Sequence, residues 1–527
     1  MRVLYRASVL ASAVALTLAV AGCGAARSAP QTDPNTLTQS VALEGEFDPA
    51  AEFTWANSDG ATSWDPTQST TGFDMAFLMP VYDRLVYAAP DGSLEPMLAE
   101  SWESTDDTTL TFTLRPGLTF SDGTPFNADA VKINLDRAMG PDSKIASYIS
   151  TITAVEVIDE LTVQLTVSGA LGAVLTEMSA RPGMMASPTA IANGTLTAQP
   201  VGIGPYTATD VVPGGVSVTL EKTPNYWDPD AQRVAKMHFQ QVADDQTRLN
   251  GFLTGDFDGA VIRPNHVEAA LKDDYTVVSG VSPTFSYMVL NTGIKPLDDP
   301  KVRLALNMAI DRVGIGDGLW QGYCTPGVQP FPETSFAYNT DIGDGLDQWP
   351  HDPEKAKELL AEAGYPDGFS MSMVAGNVTI NTATAEALQS QLGEIGIDVQ
   401  IEVLATAPLI EAFVVDKTAG AMVATAGATE DPHVVLQSYL LPNARFNPGG
   451  TLPEDMTDLA TQAATPLSGS DRAASYADFM GLWMKTPPNL LPICMTRSLL
   501  AVADDVVGVS SSTSGFYDFR GIALKKN

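Results

Sequence analysis

The chain has 527 residues, of which 63 are acidic and 29 are Lys or Arg, so its formal net charge at pH 7 is −34. Hydrophobic residues make up 44%, which provides a buried core and excludes an intrinsically disordered chain, and the length predicts about three folding units. The charge argues against nucleic acid as a partner, because phosphate binding requires Lys and Arg; it indicates a soluble surface, with attraction of a cationic ligand as the alternative.

The first residues predict an export signal. Arg2 and Arg6 precede an apolar run over residues 9–20, which is shorter than the roughly 20 residues of a transmembrane helix. A basic start, an apolar middle and small residues are typical of a secretory signal peptide, here residues 1–22. The run ends at Cys23 in a pattern that resembles the lipobox of bacterial lipoproteins, whose cysteine is lipidated; an ordinary signal peptide with an incidental cysteine is the alternative. Removal of the signal takes away two arginines, so the charge becomes 27 − 63 = −36.

Residues 23–49 predict a flexible tether, because they are rich in Ala, Ser, Thr, Gln and Pro and show no periodicity. About 25 such residues reach ~25–30 Å on average. No later run of about 18 apolar residues predicts a membrane span. We therefore expect an extracytoplasmic body, held by a lipid to the periplasmic or cell-surface side of the membrane.

Cys324 and Cys494 are the other two cysteines. Disulfides persist outside the cytosol, and lipidation of Cys23 leaves an even number. A Cys324–Cys494 disulfide is therefore a hypothesis.

The first part of the body predicts mixed α and β structure with antiparallel pairing. Residues 107–125 alternate between apolar and polar positions around Pro-Gly and Asp-Gly turns, which predicts a meander. Asn127 predicts the N-cap of a helix. Residues 155–167 alternate on both sides of an Asp-Glu turn, which predicts a hairpin.

The middle of the chain changes to an α/β pattern. An Asp-Pro pair at 299–300 predicts a helix whose apolar stripe extends to Val313, and a second pair at 352–353 predicts another helix. Strand-like alternation at 369–373 and 397–403 flanks a helical segment. A strand, a helix and a strand without a hairpin predict parallel pairing.

Motifs of common enzyme classes are missing. The chain has no Gly-x-Ser-x-Gly, P-loop, complete Gly-x-Gly-x-x-Gly, His-Glu-x-x-His or Cys-x-x-Cys. Nothing therefore indicates catalytic residues, a metal site or a cofactor, and we expect none. A hydrolase that uses two carboxylates stays open, because acidic pairs are abundant.

Several segments share turn residues, helix caps and aromatic residues in a fixed order over roughly residues 55–500. They are Ser63-Trp64-Asp65-Pro66, residues 81–86 (Val-Tyr-Asp-Arg-Leu-Val), residues 96–103 (Pro-Met-Leu-Ala-Glu-Ser-Trp-Glu), residues 114–125 (Leu-Arg-Pro-Gly-Leu-Thr-Phe-Ser-Asp-Gly-Thr-Pro), Gly202-Ile203-Gly204-Pro205-Tyr206, Pro224-Asn225-Tyr226-Trp227, Leu290-Asn291-Thr292, Val302-Arg303-Leu304-Ala305-Leu306-Asn307, Ala309-Ile310-Asp311-Arg312, Asp352-Pro353-Glu354-Lys355-Ala356 and residues 359–365 (Leu-Leu-Ala-Glu-Ala-Gly-Tyr). Together they resemble the family 5 extracellular solute-binding proteins of bacterial ABC importers, which include dipeptide- and oligopeptide-binding lipoproteins.

The resemblance implies an α/β, two-lobe periplasmic-binding-protein fold of type II, in its large three-subdomain form, with mixed sheets and a hinge. The first lobe would comprise residues 50–285 and 495–527, with an inserted subdomain at about 66–198. The second lobe would comprise residues 286–494. A ligand that contacts both lobes would stabilise the closed form that a permease recognises.

This chain lacks the acidic residue that usually binds the amino group of a peptide ligand. Peptide binders of this family hold it with an aspartate four residues before a proline, here Pro432, and the matching residue is Ala428. Either Glu430 or Asp431 replaces that acid, or the ligand has no free amine. A capped loop is the structural alternative for both acids.

Other ligand-binding residues follow from family position alone, and aromatic side chains prevail among them because they can stack on a sugar or an apolar side chain. They are Asn57, Ser58, Phe285, Tyr287, Trp320 and Tyr323. For Trp320, packing in the core is an equal alternative.

We therefore expect the extracytoplasmic substrate-binding subunit of an ABC transporter, not an enzyme, that delivers a solute to permease subunits in the membrane. A peptide is the expected solute, and an oligosaccharide, a metal chelate or another small solute is the alternative. A secreted lipoprotein hydrolase is the rival from another class. We expect a monomer.

Overall fold

The computed structural model describes residues 32–526, apart from residues 70, 73, 90–91, 213, 273–274, 427–430 and 512–516. The predictions for the signal peptide and Cys23 lie outside the described residues. Within the described ranges, no helix is long and apolar enough to cross a membrane.

The terms first lobe, insert and second lobe keep their predicted boundaries. The first lobe begins with β1 (Ser40–Val41) and β2 (Glu52–Asn57). The insert contains α1 (Asp74–Leu78), β3 (Val86–Ala88), β4 (Leu94–Pro96), β5 (Ala99–Asp106), β6 (Thr109–Leu114), α2 (Ala128–Met139), β7 (Ile152–Asp159), β8 (Thr162–Val167), α3 (Leu171–Glu177) and α4 (Pro188–Asn193). The first lobe continues with β9 (Tyr206–Val211), β10 (Ser217–Lys222), β11 (Lys236–Gln241), α5 (Asp245–Leu253), β12 (Gly259–Val261), α6 (Val267–Lys272) and β13 (Thr276–Leu290).

The second lobe follows β13. It contains α7 (Pro300–Ala309), α8 (Arg312–Trp320), β14 (Cys324–Pro326), α9 (Pro353–Glu362), β15 (Phe369–Gly376), α10 (Thr379–Glu394), β16 (Ile397–Leu404), α11 (Thr406–Ile410), β17 (Ala421–Thr425), α12 (Pro432–Val435), α13 (Glu454–Ala464) and α14 (Gly469–Lys485). The chain returns through β18 (Leu490–Val502) and ends with β19 (Val506–Val507), β20 (Val509–Ser510) and β21 (Ala523–Leu524).

One mixed sheet of 11 strands connects the two lobes, in the order β16-β15-β17-β13-β18-β12-β2-β11-β10-β9, with β14 also paired to β18. The antiparallel strands β13 and β18 lie in its centre, and their register shifts between Val281 and Phe285 and again between Ser286 and Tyr287. These two strands pass from one lobe to the other, so a hinge between the lobes would bend them. The insert has its own antiparallel sheet, in the order β5-β6-β8-β7.

Local sequence signals explain most of the elements. Asn127 caps α2 by accepting a hydrogen bond from the amide of Ala130, and Asp299 and Asp352 cap the two helices with proline in the first turn. Strands β15 and β16 pair in parallel around α10, as their alternation predicted.

The prediction of one helix with an apolar stripe that extends to Val313 is wrong. The helix α7 ends at Ala309, and α8 begins at Arg312. The buried Arg312 side chain donates hydrogen bonds to the carbonyl oxygens of Asn307 and Pro492, which turns the chain and leaves Val313 48% exposed.

Several hydrophobic clusters form the core, and α1 and α4 of the insert pack in the cluster of the first lobe. In the insert, Phe112, Val131 and Leu165 are fully buried together. Two clusters lie in the second lobe, one around Leu306 and Leu388 and the other around Phe479 and Trp483. In the first lobe, aromatic side chains of β2 pack on the C-terminal segment.

The resemblance motifs meet in a buried network beside the first lobe. The carboxylate of Asp83 accepts hydrogen bonds from Tyr226 Oη (2.5 Å), Trp227 Nε1 (2.8 Å) and Arg520 Nη1 (3.1 Å). Burial raises the pKa of Asp83, and the Arg520 charge and the two ring donors oppose that rise. These motif residues therefore hold the insert to the first lobe and to the C-terminal segment.

Residues 32–49, predicted as part of the tether, lie against the body. The Thr32 amide donates to Glu268 Oε1 (2.7 Å), and β1 pairs with β20. The Tyr323 hydroxyl donates to the Thr32 carbonyl oxygen (3.4 Å), and Arg497 on β18 donates to Asn35 (2.5 Å). The segment is therefore fixed to β20 by backbone pairing, to β13 by the Thr38–Val278 bridge and to β18 by the Arg497 side chain. Composition alone does not reveal these contacts.

Candidate functional site

A cavity of about 440 Å³ lies between the insert and the second lobe. Its insert wall comes from a helical turn before β7. Its opposite wall comes from β13, the end of β17, α12, the helical turn Leu436–Leu440 that continues α12, and the loop after that turn. The residues that line it are Ser147, Tyr148, Ser150, Phe285, Ala426, Val434, Val435, Gln437, Ser438, Tyr439, Leu441, Asn443, Ala444, Arg445 and Phe446. The cavity size is typical of small-ligand sites.

Stacked aromatic rings form the floor of this cavity. The ring of Tyr439 lies 5.0 Å from that of Tyr287, 6.1 Å from Phe285 and 5.1 Å from Phe446, the last in a stacked arrangement. Burial raises the pKa of Tyr439 to about 12 and that of Tyr287 well above its usual range. Both hydroxyls are therefore neutral at physiological pH, and Tyr439, which lines the cavity, adds a polar but uncharged side chain to it.

Arg445 is the one charged side chain among the described residues that line the cavity. The side chain is exposed, and its guanidinium carbon lies 5.4 Å from the centroid of the Phe446 ring. The guanidinium carbon lies over this ring, and no hydrogen bond to a described residue occupies the N–H groups, so they stay available to a ligand.

The helix α12 forms the wall behind the cavity and is fixed by a buried ion pair. Asp431 caps this helix by accepting a hydrogen bond from the His433 amide (2.7 Å), and both carboxylate oxygens accept from Arg472 (2.6 and 2.7 Å). Burial alone would raise the pKa of Asp431, but the charge and hydrogen bonds of Arg472 outweigh burial and lower it. The structure thus gives Asp431 the role of a cap and an ion-pair partner, which leaves it no free oxygen for a ligand's amino group.

A second cavity of about 620 Å³ lies on the other side of α12. Its walls are Ala88, residues 92–94 and Trp102 of the insert and the proline- and aromatic-rich residues 330–336 of the second lobe. Arg472 reaches it, but its donors are used by Asp431 and by the carbonyl oxygen of Ala463. This cavity is therefore chiefly apolar.

The insert also contacts the second lobe directly. The Gly172 amide at the start of α3 donates to the Thr465 carbonyl oxygen (3.1 Å), and a Cβ at Gly172 would lie 1.9 Å from the Pro466 carbonyl oxygen. Only glycine allows the two backbones to approach so closely.

On the first lobe, Asn57 ends β2, where the parallel strands β2, β11 and β12 finish together. Asn57 is fully buried, and its amide nitrogen and oxygen have no hydrogen-bond partner in the described part of the chain. Ser58 follows it and donates to Asp59 (2.8 Å). Ligands of α/β proteins bind at such carboxyl ends of strands, so Asn57 stays a predicted ligand residue.

The structure brings together only part of the predicted site. Phe285 lines the 440 Å³ cavity, and Tyr287 lies directly behind it. Trp320 is half-buried against the α7–α10 core, and Tyr323 is buried in a first-lobe cluster with Phe252 and Leu499, so neither lines a described cavity. Ala428 and Glu430 lie outside the described residues.

Sequence reasoning missed Tyr148, Tyr439 and Arg445. Tyr148 and Tyr439 lie in helical turns that are too short to show a periodicity, and Arg445 lies in a loop. Nearly 300 residues separate the two walls of the cavity. Nothing local in the sequence shows that these side chains meet.

The Sγ atoms of Cys324 and Cys494 are bonded at 2.00 Å. The disulfide joins β14 to β18 where the chain crosses between the lobes. No cluster of three or more His, Cys, Asp or Glu side chains in the described ranges could hold a metal ion.

The sequence profile of the bacterial extracellular solute-binding proteins, family 5, matches residues 93–447. The chain belongs to this family.

Relatives and solved structures agree with the assignment. This solute-binding protein is 33% identical over 370 residues to the glutathione-binding protein GsiB of Pectobacterium atrosepticum, which covers 66% of this chain and 69% of the relative. It also resembles the periplasmic binding protein DppA of Helicobacter pylori in complex with the peptide STSA, at 26% identity and a TM-score of 0.75 over 91% of this chain and 99% of the other. HbpA2 of Haemophilus parasuis shares the fold, at 24% identity and a TM-score of 0.78 over 90% and 100% of the two chains.

These matches confirm the predicted family and the two-lobe, type II periplasmic-binding-protein fold. They also confirm the expected class, an extracytoplasmic solute-binding subunit of an ABC importer. Its relatives are transport proteins that bind solutes.

Proposed function

We propose that this solute-binding protein captures a peptide and delivers it to its permease without chemical change. The observation that carries the proposal is the 440 Å³ cavity, which combines an aromatic floor, hydroxyl and amide groups and one cation. A peptide offers apolar side chains, amide groups and a carboxylate to these surfaces. The relative GsiB is named for binding glutathione, and DppA was solved with a peptide, which supports the same class.

Closure supplies the mechanism. Tyr148 belongs to the insert, and Tyr439 belongs to the second lobe, so a ligand in the cavity contacts both walls. Such a ligand favours the closed arrangement by its greater affinity for it, and the permease recognises that arrangement. The cluster around Phe112 and Leu165 supports a proposed insert (66–198), whose α1 and α4 pack on the first lobe (50–285 and 495–527), and two further clusters support a second lobe (286–494).

Glu430 is the proposed partner of the peptide's amino group. Asp431 is occupied by Arg472, and Ala428 carries no charge. If Glu430 binds the amine, Glu430→Ala weakens binding of a free peptide but not of its N-acetyl derivative. Equal losses for the two would remove Glu430 from the site.

A thermal-shift screen of peptides, glycans and metal chelates tests the proposal. A solute that binds only the folded protein adds about 2.7 kcal/mol at a concentration of 100 Kd, so di- and tripeptides should raise the melting temperature. A response to glycans or chelates alone would replace the peptide by one of those solutes. Mass spectrometry of the bound compound after incubation should show it unchanged, whereas turnover would indicate the rival hydrolase.

We also propose a lipid anchor at Cys23 and a monomeric state. The supporting observation is the small-residue pattern before Cys23. The wild-type protein should sediment with membranes, whereas Cys23→Ser should release it. Light scattering of the detergent-solubilised protein should give the mass of one chain.

A further inference from the structure

The geometry points to a carboxylate on the ligand, bound by Arg445 at the edge of the 440 Å³ cavity. This inference rests on the proposed function as far as the peptide is concerned, and it names the group by which the peptide is held.

The charge of the cavity favours an anionic group on the ligand. The chain has more than twice as many acidic as basic residues, yet the described lining of this cavity holds no Asp or Glu and a single Arg. A pocket with one positive charge in a strongly acidic protein attracts an anion locally, although the protein as a whole repels it.

In the described part of the chain, Arg445 has no hydrogen-bond or ion-pair partner. Every other arginine in the described part donates at least one hydrogen bond to a side chain or to a backbone carbonyl. Arg445 donates none, and no carboxylate among the described residues lies within ion-pair distance of it. Its fixed contact is with the Phe446 ring.

An aromatic contact fixes the position of the Arg445 guanidinium. Phe446 is stacked on Tyr439, so the ring under the guanidinium is itself held by the buried aromatic floor. A planar guanidinium carries its N–H groups in a fork that matches a carboxylate with two parallel hydrogen bonds. The hydroxyls of Ser147 and Ser150 line the insert wall of the same cavity, so a ligand held by Arg445 also contacts the insert.

The test uses the dipeptide Met-Leu, its C-terminal amide and its N-acetyl derivative as probes, with affinities from calorimetry. Arg445→Gln should weaken Met-Leu binding about 10- to 100-fold, the range of a hydrogen bond to a charged group. The amide should bind weakly to the wild-type protein and lose little more in the variant. Arg445→Lys should recover part of the affinity. Lys485→Gln removes an equal charge from an exposed site outside the described cavities and should change nothing.

The outcomes separate this inference from the proposed function. Equal affinity for Met-Leu and its amide, with no effect of Arg445→Gln, overturns the inference while peptide binding stands. A screen that also contains sugar acids and neutral sugars covers the other case: if peptides fail but a sugar acid binds and depends on Arg445, the peptide proposal is wrong and the inference holds. If only neutral solutes bind, or no acid in the panel binds, both are overturned.

Discussion

Arg472 and Asp431 form a two-pronged ion pair in which both side chains are almost completely buried, with N–O distances of 2.6 and 2.7 Å. The pair joins the start of α12 to the first turns of α14. It lies between the two cavities, so it fixes the wall that they share.

Removal of Arg472 should therefore destabilise the protein strongly. Arg472→Met leaves a buried carboxylate without its partner, and we expect the free energy of unfolding in urea to fall by about 3–5 kcal/mol. The double variant with Asp431→Leu should lose much less, because no charge stays buried. Lys357→Met, which breaks an exposed pair with Glu354, should cost less than about 1 kcal/mol. Similar losses for the single and double variants would contradict the explanation.

The buried side chain of His433 should make the stability of the protein sensitive to acid. Burial lowers its pKa to about 4, against the opposing charge of Asp431, and its Nδ1 has no hydrogen-bond partner in the described part of the chain. The unfolded chain binds a proton near pH 6.5, whereas the folded protein does so only near pH 4. The contribution of neutral His433 to the free energy of unfolding is therefore complete above pH 6.5. It declines as the pH falls toward 4, and about 2 kcal/mol of it is lost at pH 5.

The measurement is urea unfolding at pH 7.5 and pH 5. His433→Gln should reduce the difference between the two pH values by that amount. His351→Gln, at an exposed histidine, should leave the difference unchanged. An unchanged difference in the His433 variant would refute its role.

Gly172→Ala should separate the insert from the second lobe. The added Cβ would lie 1.9 Å from the Pro466 carbonyl oxygen, so the backbones must move apart, at a cost of about 1–3 kcal/mol. Gly481→Ala is the matched control, because this helical glycine has no atom within 4 Å of an added Cβ. Small-angle scattering should show a larger radius of gyration for the first variant only. Identical radii would mean that the contact does not constrain the lobes.

The disulfide at the crossing strands should contribute about 2–5 kcal/mol, because it closes a loop between residues 170 positions apart. The Cys324→Ser/Cys494→Ser variant should unfold at lower urea by that margin. In the denatured wild type, reductant should raise the free-thiol count by two. A count independent of reductant would exclude the bond.

Local structure followed from the sequence where one residue type has one physical consequence. Asp299 and Asp352 before proline predicted two helix starts, and the alternation of residues 369–373 predicted β15. The end of α7 did not follow, because the turn depends on Arg312 reaching the carbonyl oxygen of Pro492, far along the chain.

The site was less accessible to sequence reasoning. Phe285 was predicted from family position and lines the cavity, but Trp320 and Tyr323, predicted in the same way, lie elsewhere. Arg445 looks like an ordinary loop arginine until the described part of the structure shows that no neighbour there pairs with it. That property depends on every neighbour in space and has no local pattern.

The attachment of residues 32–41 to β13 and β18 determines where a pull from the membrane would act. With the proposed anchor at Cys23, nine residues separate the lipid from Thr32, a reach of at most ~30 Å. Thr32 contacts Tyr323 and lies close to the strands that cross between the lobes. Tension on the anchor would thus act near the strands that cross between the lobes, and not on the outer part of either lobe. The protein would therefore open and close freely while it stays attached to the membrane.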